Sequence, residues 1–97
     1  MSALEKSIEG AAARYARSVG VLTYKFSSPA QRGVPDRIFI GPMGTIFMEF
    51  KRPGGKPTAL QQHHIDGINK VAGPFNSTTS CWVDSVEAAK VRINTIK

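Results

Sequence analysis

A single α/β domain built on a mixed sheet is the fold class the sequence predicts. Three observations carry it. The chain has 97 residues, of which 41% are hydrophobic and 21% charged, which suits one compact core and excludes both disorder and a fibrous repeat. Its apolar periodicity switches from helical spacing to strand-like runs and back. Finally, two extended runs flank Gly41-Pro42-Met43-Gly44, a reversal that must close a hairpin before a helix carries the chain to a last strand. Residues 1–97 are therefore read as one domain with the order α-β-β-β-α-β-α.

Over residues 2–19 the apolar positions Leu4, Ile8, Ala12, Tyr15 and Val19 recur at helical spacing, and Gly20 supplies a stop, which predicts the first helix. Residues 21–26 (VLTYKF) are β-branched and aromatic and predict a strand, ended by the turn formers of residues 27–33. Residues 37–40 and 45–51 predict the two hairpin strands, with Ile40 opposite Thr45. Pro53-Gly54-Gly55-Lys56-Pro57 breaks the second of them, and Thr58 opens a helix with apolar positions Leu60, Ile65, Ile68, Val71 and Ala72 before Gly73-Pro74. A fourth strand is expected over residues 80–83. A looser helical pattern, able to fray, covers residues 85–96. Helices on the faces should bury most of the sheet, and so small a chain is expected to cover leftover apolar surface with a second copy.

Thirteen Lys and Arg against seven Asp and Glu give a net charge of +6, which points to a polyanion, nucleic acid before an anionic membrane. No run reaches the roughly 18 apolar residues of a membrane span, no basic amphipathic helix is long enough for a membrane-surface module, and the N-terminus has no signal-peptide pattern, so a cytoplasmic location is expected. One cysteine, Cys81, excludes an internal disulfide framework, and its apolar neighbours predict a buried, inert thiol.

The chemistry concentrates in the hairpin. Side chains alternate along the third strand, so Thr45, Phe47, Glu49 and Lys51 share one face while Ile46, Met48 and Phe50 take the other. With Ile40 opposite Thr45, Asp36 falls opposite Glu49. Carboxylates placed about 5 Å apart repel unless something positive lies between them, and hard oxygen donors of this kind suit Mg²⁺ or Mn²⁺. Lys51, on the same face, would reach a phosphate or its attacking water. An acid near a lysine on a strand is commonly a solvated pair worth little. Two features argue for more: Pro35 holds the approach to Asp36 extended, and Glu49 interrupts the apolar run of residues 46–50.

The ordered set Gly33-Val34-Pro35-Asp36, Glu49-Phe50-Lys51 and Gln61, with Glu5-Lys6-Ser7-Ile8-Glu9, Lys25-Phe26, Ser28-Pro29, Lys51-Arg52-Pro53-Gly54 and Thr58 around it, resembles the PD-(D/E)XK nuclease superfamily. More closely, it resembles the small phage-type virus-type replication-repair (VRR-Nuc) nucleases, over most of the chain. The resemblance implies a restriction-endonuclease-like core and metal-dependent hydrolysis of a DNA phosphodiester. It implies Asp36 and Glu49 as metal ligands with the Phe50 carbonyl as a further one, and Lys51 as the residue that positions or deprotonates the water. Small stand-alone relatives suggest a homodimeric Holliday-junction-resolvase-like enzyme acting on branched DNA in DNA repair, in a bacterial or phage-infected cytoplasm.

The resemblance also implies a glutamate on the first helix. Glu5 completes a capping box with Ser2, whereas Glu9 has no capping role, so Glu9 is preferred beside the metal and Glu5 is the alternative. Gln61 completes a second capping box with Thr58, yet it also falls within the inward arc of its helix, where an amide needs a partner such as Lys51, a water or a phosphate. Adjacent His63 and His64 point in different directions and share no ion. Lys25, Arg32, Arg37, Arg52 and Lys56 flank the carboxylates and are expected to meet DNA phosphates. Without a helix-turn-helix signature or stacking platform, shape rather than base sequence is the expected readout. Two other readings stand beside the structure-selective endonuclease: a flap- or end-directed nuclease of the same architecture, and a non-catalytic DNA-binding subunit. Opposed acids facing a polyanion disfavour the latter.

Overall fold

The computed structural model describes residues 1–73 and 76–97. In chain order the elements are α1 (Ala3–Ser18), β1 (Leu22–Lys25), β2 (Arg37–Gly41), β3 (Gly44–Phe50), α2 (Ala59–Ala72), β4 (Thr78–Val83) and α3 (Val86–Asn94). The strands form one four-stranded sheet in the order β1-β2-β3-β4. β2 pairs antiparallel with both β1 and β3, and β4 joins β3 in parallel, so the sheet is mixed, as expected. Ile40 does lie opposite Thr45, and Gly41 pairs with Gly44.

Alternation along β3 divides the molecule. Ile46, Met48 and Phe50 pack with Phe39, Cys81 and Val83 beneath Ile8, Ala12 and Ala16 of α1 and Ala89 and Ile93 of α3. The inward side of α1 is largely alanine, which lets the helix approach the sheet closely. The C-terminal segment does not fray. Ile93 and Ile96 are buried, Tyr15 Oη donates to Asn94, and the Ile96 carbonyl accepts from the Met43 amide. This tuck explains Gly41: a Cβ there would stand 2.2 Å from the Ile96 carbonyl oxygen.

The apolar arc expected on α2 is narrower than its sequence suggested. Only Ile65 is buried, while Leu60 and Val71 are exposed, and so are Leu4 on α1 and Val91 on α3. A polar lock takes part of the load. Val83 turns its carbonyl toward β3, where it accepts from the Lys51 amide, so alternation turns the amide and carbonyl of Ser80 to the open edge of β4. There the Asn69 side chain accepts from the Ser80 amide (2.7 Å) and donates to its carbonyl (2.9 Å). α2 thus closes an edge that would otherwise be free to pair with another chain.

Candidate active site

The site begins where the chain enters β2. Pro35 is buried, and Asp36, one residue before the strand, returns its backbone carbonyl to the Phe26 amide (2.8 Å). Because Lys51 directs its amide to β4, Phe50 directs its own toward β2. No backbone carbonyl of β2 meets it; Asp36 Oδ2 accepts it instead at 2.8 Å. The expected opposition of Asp36 and Glu49 is thus modified in detail. The backbone ladder stops at Arg37 opposite Met48, and Asp36 extends it with its side chain.

Glu49 is 3% exposed. Its Oε2 accepts from Gln61 Nε2 at 3.1 Å and lies 3.8 Å from Lys51 Nζ, while its Oε1 is buried with no partner. Burial, then the charge of Asp36, pushes the Glu49 carboxyl up to about 8, against the pull of Lys51. Burial likewise raises Asp36, against the opposing hydrogen bond from Phe50. A buried and a half-buried acid with one lysine beside them are short of positive charge, so the pair holds its proton above the usual carboxylate range. A hard divalent cation fits that deficit: the donors are oxygen, one is unsatisfied, and the bound proton is what a cation would displace.

Both readings of Gln61 hold at once. Its Oε1 accepts from the Thr58 amide (2.8 Å) in the capping box while its Nε2 serves Glu49. The two glutamates of α1 also separate. Glu5 folds back to the Ser2 amide in a capping box, and its hydrogen bonding with Ser2 lowers its carboxyl pKa. Glu9 is buried, its Oε2 taking Arg37 Nε at 2.7 Å and Lys25 Nζ at 2.8 Å. Its charge still reaches Asp36.

Of the basic residues expected to meet phosphates, Arg37 turns inward to Glu9 and Thr23, which suits it to holding a carboxylate better than to meeting solvent. Lys25 pairs with Glu9 but remains 66% exposed, and Arg32, Arg52 and Lys56 are exposed. Lys51, Arg52 and Lys56 share a cleft of about 250 Å³ with Ser2, Glu5 and Gly55. A larger cavity, about 580 Å³ along β1, contains none of these acids and is apart from the chemistry. His63 and His64 only face each other edge to face, and Cys81 is a core thiol pushed up to about 11 by burial.

Sequence reasoning missed the countercharges on Glu9, which come from residues distant in the chain, and Thr23, which accepts from Arg37 Nη1 at 3.3 Å. It also missed Asp84, whose Oδ2 anchors the Gly54 amide at 3.1 Å. No local pattern announces any of these.

No family profile matches the chain. Over 58 residues it is 50% identical to a protein of Acyrthosiphon pisum secondary endosymbiont phage 1 named "Putative nuclease p44"; the match covers 59% of this chain and 62% of that protein, less than two thirds of its length. Among solved structures, a "VRR_NUC domain" superposes with a TM-score of 0.80 at 23% identity, over 96% of this chain and 97% of the other. A "VRR_NUC domain protein" gives 0.68 at 12% identity, over 95% and 87%. The fold is that of a VRR_NUC domain, as the ordered residues implied.

Proposed function

We propose that this chain is a VRR-Nuc nuclease domain that hydrolyses DNA phosphodiester bonds with Mg²⁺ or Mn²⁺. The observation that carries this reading is the buried Glu49 beside a half-buried Asp36, with Glu49 Oε1 unsatisfied and Lys51 on the same face. Neither a core nor a DNA-binding surface gains from two adjacent acids that repel, one of them buried. Asp36 and Glu49 would hold the cation together with the Phe50 carbonyl, which strand geometry directs to the same side as its amide. Such an ion supplies an acidified water and charge neutralisation at phosphorus.

The chain's own groups do the remainder. Gln61 fixes one Glu49 oxygen and leaves the other free. Lys51 Nζ places a proton donor and positive charge beside that carboxylate, able to orient the water and stabilise charge that develops on the phosphate. Arg37 and Lys25 neutralise Glu9, which keeps a third negative charge from adding to the pair at full strength and leaves Glu9 as a supporting residue behind the ligands. Glu5, at the cleft mouth, is occupied with its cap. Lys51, Arg52 and Lys56 line a path for a sugar-phosphate backbone, and the exposed Arg32 and Lys25 would supply further phosphate contacts.

The preferred substrate in this proposal is branched DNA, the four-way junction above all, cut by a homodimer in the cytoplasm of a bacterial or phage-infected cell. Supporting the dimer, Leu22, Tyr24 and Ile40 stand exposed on the sheet face that α1 and α3 leave uncovered. No helix among the described residues is long and apolar enough to cross a membrane. The test is incubation with a labelled four-way junction, a flap and a plain duplex in Mg²⁺, Mn²⁺ or EDTA, with Lys51→Ala alongside. Paired, metal-dependent cuts near the junction centre that vanish in the variant are expected. Preference for the flap or an end would transfer the proposal to that substrate, and binding without cutting in every metal would leave a non-catalytic subunit.

A further inference from the structure

We infer that Thr58 is a positioning residue whose backbone N–H sorts the two ends of the Gln61 carboxamide, so that nitrogen rather than oxygen faces Glu49; the inference rests on the proposed nuclease site. A carboxamide presents an acceptor at one end and a donor at the other, in nearly the same shape. A backbone N–H can only donate, and Glu49 Oε2, with the Lys51 ammonium 3.8 Å away, is the carboxyl oxygen placed to accept. Gln61 Oε1 lies 2.8 Å from the Thr58 nitrogen and Gln61 Nε2 lies 3.1 Å from Glu49 Oε2, so each neighbour demands the same orientation. A flipped amide would set oxygen against carboxylate and NH₂ against N–H, losing both bonds.

The surroundings allow the amide little freedom. The Thr58 hydroxyl accepts from the Gln61 backbone N–H at 3.2 Å, which fixes the first turn of α2. Gly33, on the loop that leads to Asp36, presses on the same turn: at φ +82° it lies so close that a Cβ would stand 2.9 Å from Leu60 Cγ and 3.3 Å from the Gln61 nitrogen. The helix start is thus wedged between the Asp36 loop and the Glu49 carboxylate. Thr58 thereby keeps the Gln61 donor on Glu49 Oε2, and Oε1 is left for the cation.

Three variants separate the N–H from the hydroxyl. Thr58→Ser keeps both, Thr58→Ala loses the hydroxyl alone, and Thr58→Pro loses both in a backbone whose φ of −68° already suits proline. In the metal-free protein the Gln61 side-chain amide resonances should keep their wild-type shifts in the Ser and Ala variants and move to solvent-like values in the Pro variant. With Mg²⁺ and junction DNA, kcat should fall about tenfold or more from Ala to Pro, with KM changed less than about twofold, the loss of one hydrogen bond to a charged group. Equal kcat and equal Gln61 shifts in Ala and Pro would overturn the inference. Should Thr58→Pro not fold, hydrogen exchange decides. The Thr58 amide should be protected in wild type and lose about tenfold in protection or more in Gln61→Ala, and unchanged protection overturns the inference. A wild type that cuts no DNA in any metal would sink the nuclease reading alone, since both magnetic-resonance measurements are made without metal or DNA.

Discussion

Replacing Glu49 by glutamine should make the metal-free protein more stable while abolishing its activity. In the folded chain the Glu49 carboxyl sits near 8 against an ordinary 4.5, raised by burial and by Asp36. Between those values the native state keeps a proton that the unfolded chain has released, so stability falls as pH rises through the window and levels off above about 8. At about 1.4 kcal/mol per pKa unit the full penalty is at most about 5 kcal/mol, and sharing between coupled acids makes roughly 2 to 5 kcal/mol the expected range. Glutamine carries no charge and can still accept from Gln61. Urea unfolding in EDTA at pH 5 and pH 8.5 should therefore show wild type losing stability with pH relative to Glu49→Gln, which should be the more stable protein at pH 8.5. A divalent cation at a hundred times its Kd should close most or all of that gap, adding about 2.7 kcal/mol to wild type and little to the variant. Parallel pH dependences, or a glutamine variant less stable at pH 8.5, would refute the reasoning.

Asp36→Asn and Lys51→Ala should each lower junction cleavage by about a hundredfold or more while binding persists, as gel shifts in EDTA and single-turnover kinetics would show. Gln61→Glu keeps the capping box but sets a carboxylate against Glu49; helix content by circular dichroism should survive while cleavage is lost. Gly41→Ala should cost about 1–3 kcal/mol in urea unfolding, because its Cβ would collide with the Ile96 carbonyl. The Cys81 thiol, raised to about 11 and buried, should resist a thiol reagent at pH 8 until the protein unfolds.

The mixed sheet and its hairpin register were legible because local chemistry dictated them: a proline between two glycines closed the turn, and alternation placed Glu49 apart from Ile46, Met48 and Phe50. The closeness of Asp36 and Glu49 was legible for the same reason, since the hairpin register carried one pair beyond Arg37 and Met48 sets them side by side. Gln61 was legible only as two rival readings, and the amide resolves them by giving each end to a different partner. The exposure of Val71 and Leu60 was hidden because helical periodicity cannot tell that Asn69 would share the docking of α2 through the β4 edge. The countercharges on Glu9 were hidden as well. Arg37 lies 28 residues away and looked like a phosphate contact, and only the packing of α1 over β1 and β2 reveals its inward turn.

The most direct measurement is the anomalous difference density of crystals grown in the metal-free protein and soaked in Mn²⁺. A peak bonded to Asp36 and to the free Oε1 of Glu49, absent in Asp36→Asn, is the predicted result. Mn²⁺ bound only elsewhere, with the two carboxylates unchanged, would contradict it.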